Sequence, residues 1–206
     1  MRYRMSKLWL SLLAVVLLAF ASCIPEFKNP LPAPKDTKPD AKLLGTWEST
    51  PGKDKSQVSF FSKKSGGMYV VFIGDIDSDG PPEASVWSGY NTNVDKDKFL
   101  CLRAIKTTHE GPADEQEERT WFVTHYKISN RGILSISPFS QDAVKRMIER
   151  GTLKGEIEQG PYLEKVTVTA SSDELSAALV KEGVDSFIDE DLVLKFQRLS
   201  KQRILR

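Results

Sequence analysis

Apolar residues along most of this chain occur in short, strand-length runs that are separated by turn residues. Between residues 45 and 137, seven such runs are rich in Val, Ile, Phe, Tyr and Trp. Runs of this composition and spacing are typical of antiparallel barrels and sandwiches. The connections between several of them, such as GG at 66–67 and NRG at 130–132, are short enough for hairpins. The pattern therefore predicts mainly-β structure with up-and-down pairing.

Two segments in the second half of the chain change to the helical period. In SQDAVKRMIERG the apolar residues share one face, and Ser140 and Gly151 are the candidate N-cap and stop. In SSDELSAALVKEG, Ser171 and Glu174 have the spacing of a capping box. LKGEIEQ, EKVTVTA and DLVLKFQRL are three further predicted strands. Together these elements predict an antiparallel up-and-down β-barrel of about 8–10 strands over residues 43–200. Two short packed helices are expected in the C-terminal half of the chain, and residues 201–206 are predicted to form a C-terminal tail.

The first residues show a different pattern, in which basic side chains precede an apolar run. Arg2, Arg4 and Lys7 are followed by a largely apolar run over residues 8–20. This run is shorter than the ~20 residues that a membrane-spanning helix needs. Small residues and Cys23 come directly after it. Residues 1–22 are therefore predicted to be an export signal that is removed from the mature protein.

The small residues directly before Cys23 resemble the lipobox of bacterial lipoproteins, although Phe20 stands where leucine is usual. The resemblance implies lipidation of Cys23, whose acyl chains would hold the protein on a membrane. The residue after the cysteine is Ile24 and not aspartate. In this respect the sequence resembles lipoproteins that are sorted to the outer membrane of Gram-negative cells. The expected location is the bacterial cell envelope, and the outer membrane if the source is Gram-negative. The alternative is an ordinary secretory signal with an unmodified cysteine.

Residues 23–42 are rich in proline, with five of the chain's 11 prolines among them. Proline at this density removes backbone donors and favours an extended, solvated conformation. At ~3 Å per residue such a segment could hold the domain up to roughly 50 Å from the lipid. The sequence therefore predicts a Pro-rich tether between the lipidated cysteine and the barrel.

The cysteine count and the charge restrict the possible partners. The chain has two cysteines, and if Cys23 carries lipid then Cys101 has no disulfide partner. Cys101 lies in the apolar run FLCLRAI and is predicted to be a small buried residue. Loss of residues 1–22 removes three cationic side chains and changes the formal net charge from +1 to −2. A nearly neutral domain with interspersed charges offers no basis for nucleic-acid binding.

A glycine precedes a tryptophan by two positions where the first predicted strand begins. Gly45, Thr46 and Trp47 resemble the first signature of the lipocalins and the wider calycin group. The resemblance implies that the tryptophan lies under the closed end of a barrel, with a cation from the last strand over its ring. Alternation along DLVLKFQRL makes Arg198 the expected cation. The chain looks most like the uncharacterised lipocalin-like lipoproteins of bacterial envelopes. The alternative is that Trp47 is an ordinary core aromatic on an edge strand.

The acidic run GDIDSDG is a candidate cation site. Asp75, Asp77, Asp79 and Gly80 match the start of a calcium-binding loop, in which alternating carboxylates converge on the ion. The glutamate expected at position twelve is replaced by Val86, so the match predicts weak calcium binding at best. The alternative is an acidic turn between two strands, because Asp and Gly favour turns in any case.

Catalytic and zinc-binding patterns are absent from the sequence. His109 lies among carboxylates in residues 106–119, but a zinc site needs three or four converging ligands, and a solvated loop is the simpler interpretation. The chain has no G-x-S-x-G, no H-E-x-x-H and no glycine-rich phosphate loop. The protein is therefore not expected to be an enzyme.

Two classes of function remain. The first is a binding module whose barrel holds a small apolar or amphipathic ligand, and the second is a filled barrel that contacts another envelope component through its loops. A cavity of about 300 Å³ or more would favour the first class. The side chains expected inside the barrel include Phe60, Val70, Phe72, Leu100, Leu102, Phe122 and Tyr126.

Overall fold

The computed structural model describes residues 24–50, 55–74, 76, 83–107, 120–160 and 164–199. In chain order the elements are β1 (Glu26–Phe27), β2 (Gly45–Ser49), β3 (Gln57–Ser62), β4 (Met68–Gly74), β5 (Glu83–Val94), β6 (Asp97–Thr107), β7 (Phe122–Ile128), β8 (Ile133–Pro138), α1 (Gln141–Glu149), β9 (Gly155–Gln159), β10 (Glu164–Val168), α2 (Ser172–Glu182), two short 3₁₀ helices (Val184–Phe187 and Glu190–Leu192) and β11 (Leu194–Arg198).

Eight of the strands form a closed antiparallel barrel in the order β11-β2-β3-β4-β5-β6-β7-β8. Strands β2 to β8 follow chain order, and β11 closes the ring by pairing with β8 on one side and β2 on the other. Phe196 of β11 is opposite Leu134 on one neighbour and Ser49 on the other. The predicted mainly-β fold with two helices in the C-terminal half is confirmed, and the closed barrel is consistent with a lipocalin-like fold.

The three late strands do not all join the barrel. Only the last predicted run, DLVLKFQRL, supplies a barrel strand, whereas β9 and β10 form a separate three-stranded sheet in the order β1-β10-β9. β10 pairs antiparallel with β9 and parallel with β1, which comes from the N-terminal segment. The small sheet lies outside the barrel wall, together with both helices.

The up-and-down order gives the barrel two distinct ends. Gly45 at the start of β2, the β3–β4 and β5–β6 turns, and Arg198 at the end of β11 lie at one end, named here the closed end. The end of β4 at Gly74, the start of β5 at Glu83 and the start of β11 at Leu194 lie at the other end, named here the open end.

Two hydrophobic cores share the wall formed by β6 and β7. Leu100 and Leu102 face the inside of the barrel, whereas Phe99 and Cys101 face the outer core that contains the helices and the small sheet. This arrangement explains the unbroken apolar run FLCL, because a strand covered on both faces has no polar phase. Cys101 is buried, as predicted, and burial raises the pKa of its thiol to about 12.

Both helices begin where the sequence predicts. The Ser140 hydroxyl accepts a hydrogen bond from the Ala143 amide, and Ser171 and Glu174 form a reciprocal capping box. The buried residues of the two helices that pack in the outer core are Val144, Met147, Leu175, Ala178 and Leu179. Among the residues that the structure describes, no helix has the length and apolar character needed to cross a membrane.

The Pro-rich segment differs from the predicted solvated tether. Phe27 and Leu31 are fully buried in the outer core. The Tyr90 hydroxyl donates to the Leu31 carbonyl at 2.5 Å, and the Thr92 hydroxyl donates to the Pro32 carbonyl at 2.8 Å. The segment follows the outer wall of the barrel because its few apolar side chains are buried there. Residues 24–44 are therefore part of the folded domain.

Asp40 fastens the end of this segment to the closed end of the barrel. Its carboxylate accepts hydrogen bonds from the Lys98 ammonium at 2.8 Å and the Tyr126 hydroxyl at 3.2 Å, and its backbone amide donates to the Asn91 side chain at 2.9 Å. Burial acts to raise the pKa of Asp40, but the hydrogen bonds from Lys98, the Lys42 amide and Tyr126 outweigh it, so the pKa lies below its ordinary value.

Asp40→Asn is expected to lower the free energy of unfolding at neutral pH by about 1 kcal/mol, because the charge-assisted bonds are partly screened by solvent. Since the pKa of Asp40 is lower in the folded state, its contribution is present above the unfolded pKa of about 3.9 and is lost as pH falls through the folded pKa. Urea unfolding at several pH values measures both effects. Asp36→Asn is the control, because the Asp36 side chain is 70% exposed. Equal losses in the two variants would contradict the role of Asp40.

Candidate functional site

The closed end of the barrel is sealed by the contact between Trp47 and Arg198. The guanidinium carbon of Arg198 lies 4.3 Å from the centroid of the indole ring, and the two residues are opposite each other in the β2–β11 pair. Trp47 is 1% exposed, and its indole N–H donates to the Leu43 carbonyl at 2.8 Å. The predicted cation–π contact between the first and last barrel strands is therefore confirmed.

Gly45 is required by the same contact. Its φ is +117°, a conformation that other residues rarely adopt, and a Cβ there would lie 3.0 Å from the Arg198 Nη1 atom. With that space free, Arg198 donates from Nη1 to the Leu44 carbonyl at 2.6 Å and from Nη2 to the Lys42 carbonyl. The spacing of Gly45 and Trp47 thus gives the guanidinium room to reach both the ring and the backbone beneath it.

Among the described residues, side chains fill the barrel interior at the closed end, and a cavity remains towards the other end. Trp47, Leu43, Met68, Tyr126 and Leu134 are all buried and belong to the inner core. Beyond them, towards the open end, lies a cavity of about 630 Å³. This volume falls within the range of small-molecule sites, which extends from about 300 to 1,000 Å³.

The cavity wall is mostly apolar and contains most of the side chains that alternation predicted to face inward. Tyr126 is the exception among the predicted set, because it lies nearer the closed end, where its hydroxyl bonds Asp40. The predicted residues that do line the cavity are Phe60, Val70, Phe72, Leu100, Leu102 and Phe122. The inward phase of these strands is therefore confirmed.

Two tryptophans in the cavity wall were not predicted. Trp87 packs against Phe122 with ring centroids 6.1 Å apart, and its indole N–H donates to the Ser85 hydroxyl at 2.9 Å. Alternation along β5 places Trp87 in the same phase as Ser85, so the sequence could have identified Trp87 as a cavity residue. The sequence could not have identified Trp121, because its position depends on an isolated bridge to Phe27 of β1.

Few polar side chains reach the cavity. Ser85, Thr120 and Thr124 provide hydroxyls, and Glu26 is the only charged side chain among the described residues that line it. Glu26 lies 3.1 Å from the Lys165 ammonium. A cavity with this lining offers an apolar volume to a hydrocarbon group and no cation to hold a buried anion.

The predicted calcium site lies outside the described residues, since Asp75, Asp77 and Asp79 are not among them. The same is true of His109, of the predicted lipidation site Cys23 and of the predicted tail, residues 201–206. Within the described ranges, no group of three or more His, Cys, Asp or Glu side chains is arranged to hold a metal ion.

His125 is buried in the outer wall of the barrel, away from the cavity. Its Nε2 atom lies 3.2 Å from an Asp97 carboxylate oxygen, and its ring packs on Phe99 with centroids 5.5 Å apart. Burial, together with the charge of Lys127, lowers the pKa of His125, and the opposing effect of Asp97 is smaller. The lowered pKa favours the neutral imidazole, and the contacts of this residue with Asp97 and Phe99 are structural.

This lowered pKa predicts that acid destabilises the fold. Below about pH 6.5 the unfolded chain binds a proton at this histidine that the folded protein does not bind. The free energy of unfolding should therefore fall as pH drops from 6.5 towards the folded pKa, by at most about 1.4 kcal/mol per pH unit. In His125→Gln this part of the slope should disappear, as measured by urea unfolding between about pH 5 and 8. An unchanged slope would show that another group titrates.

Comparisons with protein-family models, with curated proteins and with solved structures find no significant match.

Proposed function

We propose that this protein is an envelope lipoprotein, anchored through Cys23, whose barrel binds one small apolar or amphipathic ligand without catalysing a reaction. The proposed location rests on the N-terminal sequence, in which a signal-like segment ends directly before Cys23. Ile24 favours the outer membrane in a Gram-negative cell. Acyl chains on Cys23 would attach the domain to the membrane surface.

The observation that carries the binding role is the cavity of about 630 Å³. Barrels of about eight strands hold either packed side chains or one small ligand. Here the closed end is packed and the open end is not, and small side chains such as Ser85 and Ala104 leave the space between larger ones. A filled barrel that acts only through its loops would not need this volume.

The lining favours a ligand with a hydrocarbon part. Phe72, Leu102 and Phe122 are typical of the wall, and burial of apolar surface against such side chains gains ~25 cal/mol per Å². Because the described lining lacks a cation, an acidic head group would be poorly accommodated inside the barrel. The polar part of an amphipathic ligand is therefore expected to remain at the open end.

Native mass spectrometry of the full chain, expressed with its own signal and extracted in mild detergent, tests this function. We expect a lipid-sized mass bound at one copy per chain. We also expect saturable binding of 1-N-phenylnaphthylamine, an apolar fluorophore, with energy transfer from Trp87 and Trp121. A bare protein mass together with no saturable binding would reject the binding role and favour the interaction role.

A further inference from the structure

The first described residues of the chain form part of the cavity wall at the open end. Ile24, Pro25 and Glu26 line the cavity, and Pro25 is buried. The next residue, Phe27, is fixed by two backbone hydrogen bonds to Trp121. The Phe27 amide donates to the Trp121 carbonyl at 3.0 Å, and the Trp121 amide donates to the Phe27 carbonyl at 2.7 Å. The position of the chain at residue 24 is therefore set by strand pairing at the open end.

The segment that follows runs from the open end towards the closed end along the outer wall. It is bonded to β5 at Leu31 and Pro32, and it reaches the closed end at Asp40 and Leu43, under Trp47. The proline-rich residues are used in packing, and they do not provide a spacer between Cys23 and the domain. The distance from the membrane to the barrel is therefore governed by the single peptide bond between Cys23 and Ile24.

Consecutive Cα atoms are about 3.8 Å apart, so acyl chains on Cys23 would begin within one residue of the cavity wall. A lipidated Cys23 lies at the surface of the leaflet that holds its acyl chains. We propose that the open end of the barrel faces the membrane that anchors Cys23, and that the cavity takes the acyl chain of a lipid directly from that leaflet. This inference rests on the proposed function and adds the source of the ligand.

The chemistry of the cavity fits loading from a membrane. An acyl chain that moves from the leaflet into the space between Phe72, Leu102 and Phe122 exchanges one apolar environment for another. Its surface is not exposed to water during the transfer. The head group can remain in the interfacial region, where Glu26 and its partner Lys165 supply both signs of charge at the open end.

Two exposed positions report which end faces the membrane. Leu194 lines the open end and is 47% exposed, whereas Phe61 lies on β3 near the closed end and is 51% exposed. Leu194→Cys and Phe61→Cys would each carry a bimane fluorophore in the full lipidated chain, and the buried Cys101 would stay unlabelled. In phosphatidylethanolamine–phosphatidylglycerol vesicles with a nitroxide near the lipid head group, we expect quenching at position 194 to exceed quenching at 61 at least twofold. Equal or reversed quenching would overturn the proposed orientation.

A spacer inserted between Cys23 and Ile24 tests whether proximity matters. Twenty Gly and Ser residues have a root-mean-square span of about 25 Å and would free the domain from the surface. We expect the insertion to abolish the quenching difference and to slow the transfer of a fluorescent phospholipid from vesicles to the protein at least fivefold. Equilibrium binding of 1-N-phenylnaphthylamine should be unchanged. Unchanged quenching and transfer rates would overturn the inference.

The outcomes separate this inference from the proposed function. Probe binding without a quenching difference removes the membrane-facing orientation and leaves the binding role intact. A quenching difference without probe binding removes the binding role. If the probe binds only after a lipase has removed the ester-linked chains, the cavity holds an acyl chain of Cys23 itself, and loading from the leaflet is overturned. An intact mass without lipid on Cys23 would overturn the orientation as well.

Discussion

Replacing Trp47 with alanine is expected to lower the free energy of unfolding by about 3–5 kcal/mol, the range for deletion of a fully buried large aromatic side chain. The variant loses the packing of the closed end and the hydrogen bond to Leu43, and it leaves Arg198 without its ring. Urea unfolding followed by far-UV circular dichroism measures this change, because the barrel supplies most of the strand signal.

Two further variants separate the parts of this contact. Trp47→Phe keeps an aromatic ring but has no N–H for the Leu43 carbonyl, and we expect about 1–3 kcal/mol of destabilisation. Arg198→Lys keeps the charge but cannot bond the Leu44 and Lys42 carbonyls as a fork, and about 1 kcal/mol is expected. If Trp47→Ala cost no more than Arg198→Lys, the tryptophan would not be the centre of the closure.

Filling part of the cavity should weaken ligand binding without damaging the fold. Ala104 lines the cavity next to Trp87 in the β5–β6 pair, so a phenylalanine side chain there would occupy space that a ligand needs. Ala104→Phe is expected to weaken binding of the apolar probe at least tenfold, a loss of about 1.4 kcal/mol or more. Fluorescence titration measures the dissociation constant.

The neighbouring residue provides a matched control. Ile105 is 37% exposed and does not line the cavity, so Ile105→Phe adds bulk near the same place without entering the cavity. Its dissociation constant should match that of the unmodified protein within about twofold, which corresponds to ~0.4 kcal/mol. Equal weakening in both variants would indicate a general disturbance of β6 and would reject the cavity as the site.

The closed end was accessible from the sequence because its residues obey local rules. Alternation along the last strand put Arg198 on the face that meets Trp47, and Gly45 marked the space between them. The same alternation identified Phe60, Leu100 and other cavity residues. The amount of empty space was not accessible, since periodicity gives the direction of a side chain and says nothing of the volume left by Ser85 or Ala104.

The N-terminal segment was mispredicted for a different reason. Proline fixes an extended backbone equally well in water and against a protein surface, so the composition of residues 24–42 could not distinguish the two. The distinguishing signals were Phe27 and Leu31, which are apolar side chains isolated among polar and proline residues and which the outer core buries completely. The sequence also could not show which sheet β9 and β10 join, because β-propensity predicts a strand without specifying its partner strands.

Ring closure by β11 also has a consequence for biogenesis. The strand that completes the barrel ends at Arg198, whereas its partner β2 begins at Gly45, so most of the chain separates them. During synthesis from the amino terminus, β2 and β8 emerge first and keep unpaired edges until β11 has followed. Exposed edges of this kind invite pairing with other chains. The interval before β11 has been synthesised is therefore the period in which the chain most needs protection from aggregation.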